Sequence, residues 1–377
     1  MLHNPGANTD HASNQEENSL RTGKRQAVAK AVCFLLIFVV LWLVLQRILD
    51  YKYTDSRELL HDRYRHFEQE PQGTIDVLYM GSSSMDSGIN PAVVYRETGI
   101  TGYNFSIHYN SAFMTYYNVR YAFEHHIPRL LVLDLSDIHF VRDPKVMTYY
   151  EATYRKSIEN MPDFRLRMEM LMAYQREFGV NDTMEYLLPL LRYHDRWKNL
   201  TLNDFLPGAY SSSDYQPFLK GAYMREDSKD QTERPAFTAR QDNVEASQVS
   251  LSYYRRIVQL CRDNGVEVMV VAIPRMMMNP NYLECAIAFC EENNLNILYY
   301  PDKESIHAIG IDEKDCFYDT GHMNTRGQLA YSRTLAREIM SLYDLEDHRG
   351  DPAYAAWDEA YAAYYDSYGA SIGAQTP

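Results

Sequence analysis

Residues 31–45 (AVCFLLIFVVLWLVL) form an uninterrupted apolar run, which extends to 27–49 if Lys30 snorkels and Arg47 turns outward. At about 1.5 Å per residue such a helix reaches about 34 Å, enough to cross a hydrocarbon core of about 30 Å. Gln46-Arg47-Ile48-Leu49-Asp50 follows it where a signal peptide would carry a small-x-small cleavage site, so the run reads as an uncleaved anchor. Arg21, Lys24, Arg25 and Lys30 precede it, and Arg47, Lys52 and Arg57 follow, a four-to-three bias toward a cytoplasmic N-terminus. The expected layout is a cytoplasmic tail over 1–26, polar and disordered in its first 20 residues, an anchor over 27–49, and a juxtamembrane linker over 50–73.

The remainder can bury a core, since 46% of the 377 residues are apolar and 23% charged. With 51 Asp+Glu against 37 Lys+Arg, the net charge of −14 argues against a nucleic-acid partner. Cys33, Cys261, Cys285, Cys290 and Cys316 are too few and too irregular for a disulfide framework or a CxxC metal site. Cys285 and Cys290, five apart on an expected helix, are read as free thiols, and their disulfide state stays open. His108, His125, His126 and His139 make no H-x-x-x-H or H-E-x-x-H set, so no metal is expected. The 32 tyrosines are read as core and surface packing rather than as sugar platforms.

Strand-like and helix-like segments alternate along the chain. Residues 74–80 (TIDVLYM), 129–135 (RLLVLDL), 266–273 (VEVMVVAI) and 296–299 are compact apolar runs of buried-strand type. Helices are expected at 91–98 with Pro91 in the first turn, 111–126, about 251–261, 282–292 and 325–343. That alternation predicts an α/β fold in three layers around a mainly parallel sheet, over 74–346. Residues 142–248 break the rhythm and are read as an insertion over one end of the sheet, helical at first and aperiodic over 211–248. The segment 347–377, rich in Tyr and Ala with scattered acids, is left between a loose helix and disorder.

Two short motifs carry chemistry. Gly81-Ser82-Ser83-Ser84-Met85 follows the first strand, where a glycine lets the backbone turn and a helix can begin. It lacks the second glycine of G-x-S-x-G and the G-K-[ST] of a P-loop. Asp319-Thr320-Gly321-His322 sets a carboxylate three residues ahead of an imidazole, before the last helix. A serine needs a base, and the base needs an acceptor on its other nitrogen, which these two residues supply together.

Together the motifs resemble the SGNH (GDSL-like) hydrolase superfamily, whose nucleophile lies in a first G-D-S block and whose acid and base lie in a C-terminal D-x-x-H. Gly81-Ser82-Ser83 matches the first block with Ser82 at the Asp position, and Asp319 and His322 match the last. The resemblance implies catalysis by Ser83, His322 and Asp319. It also implies an oxyanion hole from the N–H groups of Ser83 and Gly102, the glycine being placed as in the second block. The third block, usually G-x-N-D, reads Asp134-Leu135-Ser136-Asp137, with Ser136 for Asn, which leaves the third donor to Asn104 or Ser136.

The anchor, the G-S-S block and the D-x-x-H-x-N-x-x-G ending (Asp319, His322, Asn324, Gly327) look most like membrane-anchored bacterial SGNH proteins that work with membrane-bound O-acyltransferases. Alginate acetylation and lipoteichoic-acid D-alanylation proteins are examples. What they imply is a serine O-acyltransferase or esterase outside the cytoplasmic membrane, without a cofactor. Its substrate would be a cell-envelope glycan or polymer, and its partner a membrane-bound O-acyltransferase. The alternative from another class is a non-catalytic scaffold or polymer-binding protein on the same fold.

Overall fold

The structure, a computed structural model, describes residues 7–49, 60–139, 143–206, 216–233, 245–276 and 280–373. In chain order it contains α1 (Ala7–Leu49), α2 (Leu60–Gln69), β1 (Val77–Met80), α3 (Ser83–Gly88), α4 (Pro91–Thr98), β2 (Gly102–Asn104), α5 (Ala112–His125) and β3 (Leu130–Asp134). Four helices follow, α6 (Thr148–Asn160), α7 (Phe164–Phe178), α8 (Thr183–Leu187) and α9 (Pro189–Tyr193). The chain continues with α10 (Gln248–Asp263), β4 (Glu267–Val271), α11 (Pro280–Asn293), β5 (Asn296–Leu298), α12 (Lys303–Ala308), α13 (Thr325–Leu342) and α14 (Ala355–Tyr368). It divides into two compact units, Met1–Lys52 with Asp182–Tyr210, and Tyr53–Asn181 with Ser211–Pro377.

The larger unit is built on a five-stranded, wholly parallel sheet of order β2-β1-β3-β4-β5. Successive strand residues point to opposite faces, and in β1, β2, β3 and all of β4 after Glu267 both sets are buried, so the centre of the sheet is covered on both sides. Val77, Tyr79, Leu130, Val132, Met269 and Val271 share one core with Val94 of α4 and with Tyr331, Leu335 and Ile339 of α13. The α/β expectation holds in this form. From β1 the chain moves out to β2, then crosses back to β3 on the other side, which places the switch point of the sheet at the carboxyl ends of β1 and β3.

Sequence boundaries shift in several places. The juxtamembrane linker expected over 50–73 is not all linker, because α2 buries Tyr64 and Phe67 against Tyr103, Phe105 and Tyr121. Helix α1 starts at Ala7, inside the stretch expected to be disordered. The insertion is not one body. Its first portion, α6 and α7, packs Tyr154 and Tyr174 around Phe113 of α5, and Asp182–Tyr210 groups with α1. Residues 216–231 run beside the loop before α13, through Lys229 N–H to Phe317 O (2.9 Å) and Gln231 N–H to Glu313 O (2.8 Å). In the smaller unit, Arg21–Leu49 is long and apolar enough to cross a membrane.

Candidate active site

The backbone leaves β1 through Gly81, where a Cβ would stand 2.8 Å from Asp134 Cβ and 3.0 Å from Met85 Cβ, so only glycine fits. Ser82 is the N-cap of α3 in extended conformation, and Ser83 is the first helical residue. Met85 and Asp86 donate their N–H groups to Ser82 O (3.0 and 3.3 Å), whereas those of Ser83 and Ser84 meet no acceptor among the described residues. Helix α3 is held from beneath by Asn104, whose Nδ2 donates to Met85 O (3.0 Å) and Ile89 O (2.9 Å). Asp86 is fully buried, 2.6 Å from His108 Nε2 and 3.9 Å from Arg63 Nη2. Burial would raise its pKa, but the His108 contact and the Arg63 and Arg225 charges outweigh that and lower it.

The other motif forms a tight turn closed by the Phe317–Met323 bridge, with Tyr318 N–H donating to His322 O at 3.0 Å. Asp319 Oδ1 accepts from the N–H groups of Gly321 (2.8 Å) and His322 (2.9 Å), which aims the carboxylate at the ring of its own turn. His322 Nδ1 stands 2.8 and 3.0 Å from the two Asp319 oxygens, and His322 Nε2 stands 2.8 Å from Ser83 Oγ. A carboxylate around Nδ1 sets the proton of the neutral ring there, so Nε2 can accept from the serine hydroxyl. Burial pulls Asp319 upward, but the His322 bond, the Gly321 N–H and the charges of His322 and Arg225 hold it at about 2. The His322 and Asp319 side chains are 22% and 37% exposed, so the edge of this arrangement is open to solvent.

Ser83, His322 and Asp319, 239 residues apart at the widest, are thus brought into one hydrogen-bonded line. Gly102 is not brought there. It pairs with Val77 at the start of β1, and the three residues from Val77 to Met80 alone span about 10 Å. A packing reason accounts for the glycine, since a Cβ would lie 2.8 Å from both Tyr79 Cε2 and Val77 O. Asn104 is also corrected as a donor, because both of its amide hydrogens are engaged by carbonyls of α3. Ser136, in place of the third-block Asn, donates to Ser82 Oγ at 3.3 Å, behind the turn.

Two residues not singled out in the sequence stand at this end of the sheet. A turn closed by Asn110 N–H to Ile107 O (3.1 Å), with Tyr109 at φ 58°, brings the buried Asn110 amide to Gly81 O at 3.3 Å. One of the two Nδ2 hydrogens makes that bond, and the other has no acceptor among the described residues. Arg225 comes from the aperiodic stretch of the insertion. Its Nε donates to Ser87 Oγ (2.9 Å) and its guanidinium lies over Tyr223 and Tyr318 (4.8 and 5.1 Å). An alternating motif beside Asn110, or a periodic one around Arg225, would have flagged them, and neither exists.

Among the described residues no three His, Cys, Asp or Glu side chains form a metal cluster, and all five cysteines are free thiols. No protein family, curated protein or solved structure matches this chain.

Proposed function

We propose that this chain is a membrane-anchored serine O-acyltransferase or esterase of SGNH type, acting outside the cytoplasmic membrane on acyl groups of a cell-envelope polysaccharide or teichoic-acid-like polymer. The observation that carries the proposal is His322 Nε2 at 2.8 Å from Ser83 Oγ while Nδ1 is held by Asp319. A structural histidine has no need of a carboxylate on one nitrogen and a half-buried serine at a sheet switch point on the other.

In the first step Ser83 Oγ attacks the acyl carbonyl carbon and His322 Nε2 takes the hydroxyl proton. Asp319 stabilises the imidazolium, for it remains a carboxylate far below neutral pH. The oxyanion lies near the unengaged N–H groups of Ser83 and Ser84, and the second Nδ2 hydrogen of Asn110 takes the role expected of Gly102 and Asn104. Collapse breaks the ester bond, and the leaving alkoxide takes the proton from Nε2, giving an acyl-Ser83 ester. A polymer hydroxyl or water then gives its proton to Nε2 and attacks that ester, and Ser83 regains its hydrogen. The acceptor alone separates transferase from esterase.

The decisive experiment is labelling of the full chain with a fluorophosphonate probe, which reacts with a serine activated by a neutral histidine. A folded wild-type protein that stays unlabelled would favour the non-catalytic scaffold, a reading supported by the loss of Gly102 and Asn104 as donors.

A further inference from the structure

Residues 182–206 bury a carboxylate while leaving a cluster of large apolar side chains in the open. One ion pair is turned inward: Arg196 Nη2 bonds Asp204 Oδ1 (2.5 Å), Asp204 is 5% exposed, and its other oxygen accepts from Thr201 N–H at 2.7 Å. Apolar groups face outward: Trp197, Leu202, Phe205 and Leu206 are 64%, 82%, 56% and 57% exposed. A segment folded for water alone buries the second set and exposes the first.

The same segment is tied to the Leu49 end of α1. Leu190 N–H donates to Gln46 Oε1 (2.8 Å), and Arg196 Nη1 donates to Ile48 O (3.3 Å), a carbonyl of the last helical turn that lacks an intrahelical partner. The apolar surface of the anchor ends at these residues. If α1 spans a bilayer, Gln46 and Ile48 mark the depth of the headgroups, where an indole ring and aliphatic side chains are at home together.

We infer that residues 182–206 form a foot lying in the interface of the lipid bilayer at the Leu49 end of α1, with Trp197, Leu202, Phe205 and Leu206 entering the boundary between headgroups and acyl chains. The inference rests on the reading of α1 as the membrane anchor. Its occupant is lipid of any headgroup charge, because the cations of the foot already have anions beside them: Arg192 with Glu185 (3.1 Å) and Lys198 with Asp195 (3.0 Å). Apolar burial, and not attraction to acidic lipid, drives the insertion.

The three tryptophans, Trp42 in the anchor, Trp197 in the foot and Trp357 in α14, permit a direct test. The full chain is reconstituted in phosphatidylcholine vesicles, with and without lipid brominated at acyl carbons 6 and 7. Three variants each keep one tryptophan, the other two being changed to Phe. Emission from Trp197 should be quenched at least half as strongly as that from Trp42, while Trp357, buried in the other unit, stays unquenched. Replacing a fraction of the lipid by phosphatidylglycerol, or adding salt, should leave the Trp197 quenching unchanged. Quenching of Trp42 without Trp197 would overturn the foot and spare the anchor, and is the outcome if a protein partner covers this surface instead. No quenching of Trp42 would remove the anchor and the foot together. A Trp197 signal that requires anionic lipid would also overturn the inference. Leu202→Cys in a Cys33→Ala, Cys285→Ser background, carrying a nitrobenzoxadiazole label, repeats the measurement at an exposed position without touching a tryptophan. It should show blue-shifted emission in the vesicles.

Discussion

At the scale of single residues, the arrangement separates groups that act from groups that hold them. Ser83→Ala and His322→Ala should each abolish fluorophosphonate labelling, and Asp319→Asn should reduce it strongly by favouring the wrong tautomer of His322. Because the three act as a unit, a double variant should be scarcely worse than either single one, as measured by labelling rate. Asp319 is held at about 2, so it stays a carboxylate across the pH range in which labelling is measured, and no step in the pH profile should come from its own titration. The lowered Asp319 also has a sign for stability. Its pairing contributes fully above the ordinary value of 3.8 and is lost as pH falls from there toward about 2. Asn104 and Asn110 should behave differently. Asn104→Ala removes the amide bond to Ile89 O and one of the two bonds at Met85 O, which keeps the Ile89 N–H, in a buried site, and should cost about 1–3 kcal/mol in denaturant unfolding. Asn110→Ala should lower kcat about 10²–10³-fold in ester turnover. Equal turnover by Asn110→Ala and wild type would leave the oxyanion to backbone N–H groups.

At the scale of elements, the helix that carries Ser83 is only six residues long, too short to be stable by its own hydrogen bonds. Asn104 from β2, the buried Asp86 with His108 and Arg63, and Gln328 of α13, whose Nε2 donates to Asp86 O at 3.2 Å, hold it instead. The C-terminal helix α14 gives similar support from the next layer outward. It buries Trp357, Ala360, Tyr364 and Tyr368, with Tyr364 and Tyr368 packed around Val93 of α4, the helix after the serine turn. Lys220 Nζ covers the Trp357 ring at 4.7 Å. Trp357→Ala should therefore destabilise the full chain by about 3–5 kcal/mol. Urea unfolding followed by circular dichroism measures this, and a cost below about 1 kcal/mol would mean that α14 contributes little to the core.

At the scale of the whole molecule, the proposed reaction requires the larger unit to lie outside the cytoplasmic membrane. Alkaline phosphatase fused after Pro377 should be active and a fluorescent protein fused there dark; the reverse pattern would place the unit in the cytoplasm and remove the envelope substrate. A helix long and apolar enough to cross a membrane was legible from residues 31–45 alone, since length and hydropathy are properties of a contiguous stretch. So were four of the five strands and the helices α4, α5, α10, α11 and α13: Pro91 and Gly99 bound α4 at its expected ends, and the buried runs of β1, β3 and β4 carry no polar residue before their last positions except Glu267. These features depend on neighbours in sequence. What only the tertiary structure decided depends on neighbours in space. Gly102 could be ranked as a donor or a packing residue only once its register with Val77 placed it at the far end of the sheet. Asn104 looked like a spare amide until the carbonyls of α3 occupied it. The polar stretch around Arg225 had no periodicity to read, because it is placed by bonds to the loop before α13 and not by a repeating face of its own. Residues 182–206 looked like ordinary insertion, for the side on which a short segment turns its tryptophan and leucines is set by what it packs against.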